Sequence, residues 1–107
     1  MEKNISPEMV DWISTKVEGF SFHQLIDEKN GGLKFIKIKP NSNYPIHQHP
    51  NTTEFALVVN GQAVITKNNI EFILNAGEVS VFPYGIKHAL ANKTTKDVTL
   101  LVGAIQI

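Results

Sequence analysis

The chain has 107 residues, 42% hydrophobic and 19% charged, which is the make-up of one ordinary globular domain rather than a disordered segment. Ten lysines balance ten acidic residues, so no broad basic surface exists for a phosphate backbone, and nucleic acid is not an expected partner. Cysteine is absent, which removes disulfide scaffolds, zinc ribbons and thiol nucleophiles; arginine is absent too, which removes the usual bidentate clamp for carboxylate and phosphate. Residues 1–12 contain no uninterrupted apolar stretch and no later run approaches a membrane span, so the cytoplasm is the expected compartment.

Ser6, Pro7 and Glu8 combine an N-cap serine, a first-turn proline and an acidic first turn, which predicts a short helix ending by about Ser14. From there the chain reads as strands. Phe20–Ile26 and Leu33–Lys39 are β-type runs around the turn residues Asn30, Gly31 and Gly32, and Pro40–Pro45 reads as a loop delivering His47 and His49. Glu54–Val59 and Gln62–Lys67 flank Asn60-Gly61, which predicts a tight hairpin. Asn68-Asn69 turns into Ile70–Leu74, and Asn75-Ala76-Gly77 turns into Val79–Phe82. Pro83-Tyr84-Gly85 leads to the segment with His88, and Val98–Ile107 closes the chain. About eight short strands at regular spacing predict an all-β antiparallel sandwich or barrel.

Glu54, Ala56 and Val58 share one face of their strand, while Phe55, Leu57 and Val59 share the other. A strand with one wet face would alternate apolar with polar, and this one does not. Something must cover the outer face: the N-terminal segment, the second sheet, or a partner subunit. A homodimer is the expected assembly.

The frame His47-Gln48-His49, then Glu54, then His88 carries the chemistry. Imidazole and carboxylate are the ligands that first-row divalent metals take when no thiolate is present. Residues two apart on a strand project from one face, so both rings of the His-X-His pair would enter one cavity. The expected metal ligands are His47, His49, Glu54 and His88. Three neutral imidazoles and one carboxylate suit manganese, iron(II), nickel or zinc, and an octahedral ion would keep open positions for substrate.

Set among its turns, this frame resembles the cupins. His47, His49, Glu54 and Gly61 keep the spacing of the first cupin motif, and Gly77, Pro83, Gly85, His88 and Asn92 keep that of the second. Asn41 stands where the first motif opens with glycine; asparagine tolerates positive φ better than other non-glycine residues. The resemblance covers residues 33–107 and implies a cupin double-stranded β-helix, a jelly-roll barrel, with a short N-terminal helical segment. It implies one cupin domain over residues 1–107, with its core barrel at about 33–107.

Cupins include dioxygenases, decarboxylases, isomerases and non-catalytic binding or sensing domains. The expected function here is a metal-dependent enzyme, dioxygenase-like or of Lewis-acid type, acting on a small apolar oxygenated substrate such as a diketone, enol or phenol. The alternative is a metal-bearing binding or sensing domain without turnover. Glu54 is a candidate proton acceptor, although no catalytic residue is assigned. Ala56, Val58 and Ile65 are the expected apolar wall of the substrate pocket, and Tyr44 and Tyr84 flank its mouth. His23 reads as an outer-face histidine, Gln48 alternates away from its histidine neighbours, and Trp12 reads as a packing anchor.

Overall fold

The computed structural model describes residues 4–107. Ten strands run in order: β1 (Ile13–Ser14), β2 (Phe20–Glu28), β3 (Gly31–Ile38), β4 (Ser42–Gln48) and β5 (Thr52–Asn60). Then follow β6 (Gln62–Lys67), β7 (Ile70–Asn75), β8 (Val79–Phe82), β9 (Lys87–Asn92) and β10 (Val98–Gln106). They form a six-stranded sheet, β1-β2-β3-β10-β5-β8, and a four-stranded sheet, β4-β9-β6-β7, with antiparallel pairing throughout. The two inner faces close on a core that includes Phe20, Ile38, Val58, Ile65, Leu74, Phe82, Val98 and Leu100. These residues follow the period-two alternation of their strands, which is why one face of each strand is dry.

Three expectations need correction. Among the described residues helix is confined to a single 3-10 turn, Pro7–Met9, and Ile13–Ser14 is a strand paired with Ser21 and Phe22. Ser6 holds the N-cap position with no side-chain capping bond, so proline starts a turn that nothing propagates. Residues 42–45 belong to β4 rather than to a loop. Pro45 is tolerated there because β4 is an edge strand and carries a register shift between Tyr44 and His47.

Asn60-Gly61 is not a hairpin. β5 pairs with β10 and β8, whereas β6 pairs with β7 and β9 in the other sheet. A type I′ turn needs positive φ at both central residues, and of this pair only Gly61 has it, at 95°. Gly61 instead turns a corner between sheets, where a Cβ would lie 3.1 Å from the Asp97 carbonyl oxygen. The two-residue turn with both residues at positive φ is Asn68-Asn69, at 48° and 67°, which joins β6 to β7. Asn41 takes φ 57°, the conformation expected of it in place of the motif glycine.

The N-terminal segment lies against β2 and β3. Its anchors are the hydrogen bond between His23 Nδ1 and the Asp11 carbonyl oxygen (2.9 Å) and Lys37 Nζ at 4.5 Å from the Trp12 ring centroid. Elsewhere the outer face of the large sheet keeps apolar side chains in water: Val79 is 54% exposed, Val81 50% and Ile105 66%.

The last motif position, Asn92, is fully buried and clamps the two sheets together. Its Nδ2 donates to the carbonyls of Ile38 (2.9 Å) and Lys96 (2.7 Å), and its Oδ1 accepts from Thr94 N (2.9 Å) and Thr94 Oγ1 (2.7 Å). Every polar group of the side chain is used, so its role is architectural. Asn92→Leu should lower the unfolding free energy by about 2–4 kcal/mol, through the buried carbonyls it orphans. Urea unfolding measures this; a loss under about 0.5 kcal/mol would contradict the clamp.

Candidate metal centre

His47 lies on β4, His49 just beyond it, Glu54 on β5 and His88 on β9. The register sets His47 opposite His88 and Tyr44 opposite Leu90, so the partner strand advances two positions while β4 advances three. That bulge keeps Tyr44 and His47 on the same inner side although their spacing is odd. The Pro83–Gly85 turn is tied to the His-X-His strand. Gln48 Nε2 donates to the Gly85 carbonyl (2.9 Å), and Gly85 N donates to the His49 carbonyl (2.8 Å). Gln48, pointing away from the cavity, thus holds the second motif against the first.

Two rings are oriented by the same local device. His47 Nδ1 lies 3.0 Å from the Pro45 carbonyl oxygen, and His88 Nδ1 lies 3.2 Å from the Ile86 carbonyl oxygen. An Nδ1–H given to a backbone carbonyl leaves Nε2 with a lone pair, the tautomer that a metal requires. Phe82 stacks on His88 with centroids 4.4 Å apart, and Tyr44 meets His47 edge-on at 4.9 Å.

The four ligand atoms lie within 4.8 Å of one another. Glu54 Oε1 is 3.2 Å from His49 Nε2 and 3.4 Å from His88 Nε2. Among the described residues that buried oxygen has no hydrogen-bond partner, and an Nδ1–H given by His88 to the Ile86 carbonyl leaves that ring a lone pair on the Glu54 side. A shielded carboxylate oxygen facing imidazole lone pairs is unfavourable unless a cation stands between them. The donor set therefore fits a divalent metal ion. His23 bonds to the N-terminal segment and is not part of this cluster.

Burial is the main influence on His47 and pulls its pKa below the ordinary histidine value, aided by His88 and His49 and opposed by the Pro45 contact and Glu54. Burial pushes the Glu54 carboxyl upward, but the contact with His88 and the charges of His49, His88 and His47 outweigh it. Its pKa falls below the usual glutamate value. The first direction favours a neutral, coordinating ring; the second, driven by protonated imidazoles, favours an ionised carboxylate.

The cluster opens onto a cavity of about 210 Å³ whose walls include Phe20, Phe22, Tyr44, Ala56, Phe82 and Leu90. Of the expected pocket residues, Tyr44 and Ala56 lie on this wall. Val58 and Ile65 do not reach it: both are fully buried in the core beneath. Tyr84 is 59% exposed on its turn, outside the cavity. Strand alternation put Val58 and Ile65 on the inner face correctly, but depth along the barrel decides between core and cavity, and alternation carries no depth. Sequence reasoning missed Lys34, Ile36 and Val102, which also line the cavity. Lys34 alternates with Ile36 and Ile38, a signal that could have found it, yet the opposite face of β3 also holds a lysine, Lys37.

Comparison with known proteins agrees with this geometry. The cupin domain family model matches residues 34–103, and the chain belongs to the cupin family. It is 38% identical over 58 residues to germin-like protein subfamily T member 2 of Arabidopsis thaliana, a match covering 50% of this chain. The match spans only about a quarter of that curated relative, 26% of its length. The fold is similar to the Schizosaccharomyces pombe Cnp3 cupin domain, with TM-score 0.88 and 15% identity over 97% of this chain and 74% of that one. It is also similar to a predicted oxalate decarboxylase from Thermotoga maritima, with TM-score 0.85 and 19% identity over 98% of this chain and 100% of that one. No helix among the described residues is long and apolar enough to cross a membrane.

Metal retention should fall with pH in a way set by histidine. As pH drops, protons compete for the Nε2 lone pairs while Glu54, shifted downward, is still ionised, and His47, also shifted downward, keeps its lone pair below the ordinary histidine value, so the metal leaves as pH falls through and below the histidine range. Elemental analysis after dialysis at stepped pH checks this. Metal content unchanged down to about pH 4.5 would sink the ligand assignment.

Proposed function

We propose that this cupin is a metal-dependent enzyme acting on a small oxygenated molecule, such as a diketone or enol, that ligates the ion through its own oxygen. The observation that carries this is the coincidence of the His47, His49, Glu54 and His88 cluster with the floor of the largely apolar cavity. A bound divalent ion supplies Lewis acidity and, where redox-active, access to dioxygen chemistry. Four protein ligands would leave an octahedral ion two positions for substrate.

The chain's own residues do the rest. His47 and His88 present Nε2 because their Nδ1 atoms are engaged with backbone carbonyls. Glu54, held as a carboxylate and partly open to the cavity, accepts a proton from an acidified substrate carbon or hydroxyl. Phe20, Ala56, Phe82, Leu90 and Val102 line the cavity and limit water around the reacting atoms. A cavity of about 210 Å³ suits a molecule of modest size. The solved relative named as a predicted oxalate decarboxylase is compatible with a small, oxygen-bearing substrate.

Chelation should abolish turnover of diketones and enols, and reloading with iron(II) or manganese should restore it, followed by product analysis. Tight binding that leaves every compound of the panel unchanged under oxygen would favour a binding or sensing role instead.

We also propose that a second copy of this chain covers Val79, Val81 and Ile105. Val79 and Val81 lie beside Leu57 and Phe55 in the sheet register, making a continuous apolar strip. Light scattering should give a dimer, and Val81→Lys should give a folded monomer. A monomeric parent protein at micromolar concentration would overturn this assembly.

A further inference from the structure

The cavity holds one cationic side chain, and the metal cluster does not use it. Lys34 lines the same cavity as His47, His49, Glu54 and His88. It is half-buried, with Nζ 5.7 Å from the Phe22 ring centroid, and among the described residues no carboxylate lies within ion-pair distance of it. Its apolar neighbours on the cavity wall, Phe20, Phe22, Ile36 and Val102, offer it no counter-charge.

The sheet register places it relative to the strand that carries Glu54. Lys34 on β3 is paired with Val102 on β10, and Val102 is paired with Ala56 on β5, one alternation from Glu54. Two strand spacings, about 10 Å, therefore separate the Lys34 backbone from that of Ala56. The flexible lysine stem shortens the gap at its tip, and Val102, on the strand between, lines the same cavity. The cavity thus brings together oxygen-seeking groups at the histidines, apolar side chains and one cationic side chain, and Lys34 also shares a smaller adjoining pocket with Glu54.

We infer that the ligand is a small carboxylate-bearing molecule held at both ends, its metal-binding oxygen at the His47, His49, Glu54 and His88 cluster and its carboxylate at Lys34 Nζ. This rests on the metal-dependent reading above and narrows its substrate class from apolar to monoanionic. The absence of arginine argues against small carboxylates only where a bidentate fork is required. A point charge in a largely apolar cavity selects an anion without fixing its plane.

Isothermal titration of the manganese-loaded protein tests this with three probes: succinic acid monohydroxamate, its neutral primary amide, and acetohydroxamate. The hydroxamate head is a metal chelator in all three, and only the first carries a carboxylate tail. The anionic probe should bind on the order of tenfold tighter than the amide, as expected for one charge-assisted hydrogen bond in a partly screened site. Lys34→Arg should keep that preference, whereas Lys34→Gln should abolish it without changing affinity for acetohydroxamate. Equal affinity for the anionic and amide probes, or a preference that survives in Lys34→Gln, overturns the inference and leaves the metal-dependent reading standing. If acetohydroxamate itself fails to bind the loaded protein, the metal-dependent reading falls and this inference falls with it.

Discussion

A carboxylate oxygen shut away from water, with two imidazole nitrogens turned toward it, is the constraint around which this molecule is arranged. Glu54 Oε1 has no donor among the described residues, and the nearest nitrogens are those of His49 and His88. Left alone, such a group of acceptors would repel, and the site would relax or take up a proton. Holding it together requires strands that cannot splay. The fold supplies this with two sheets closed face to face and with side-chain ties at the points where the motifs could drift.

Those ties explain why residues that touch no ligand belong to the same pattern as those that do. Gln48 and Gly85 bind the two motifs across the barrel mouth, and the carbonyls of Pro45 and Ile86 set the tautomers of His47 and His88. Asn92 fastens the end of the small sheet to β3 of the large one. The bulge in β4 lets Tyr44 and His47 both face inward. Some of these ties are local and others join distant strands, and together they bring four separated side chains into one cluster.

The same geometry orders the functional reasoning. Protons and metal compete for the same lone pairs, so the site is a metal centre only while its imidazoles are neutral. The cavity above it is apolar along most of its wall, with Lys34 two strands from Glu54's strand. On the proposed reading, an ion at the histidines and a lysine in the same cavity would give a ligand orientation as well as affinity. The chemistry then depends on what lies between the two.

Much of this was legible in the chain itself. Ligand types, their spacing and the glycine, proline and asparagine turns marked an all-β barrel with His47, His49, Glu54 and His88 on facing strands, because side-chain alternation and turn chemistry are local properties. Local rules could not say which sheet a strand joins: Asn60-Gly61 has the composition of a hairpin and turns a corner between sheets instead. Nor could they say how deep an inward residue lies. Val58 and Ile65 are core, while Ala56 and Lys34 reach the cavity, though all four point inward. The sequence alone determined which groups could bind a metal and which faces are dry, since both follow from residue type and period. Only the tertiary structure decided the orphaned Glu54 oxygen and the lysine that shares its cavity, since each depends on strands far apart in the chain meeting at one level of the barrel.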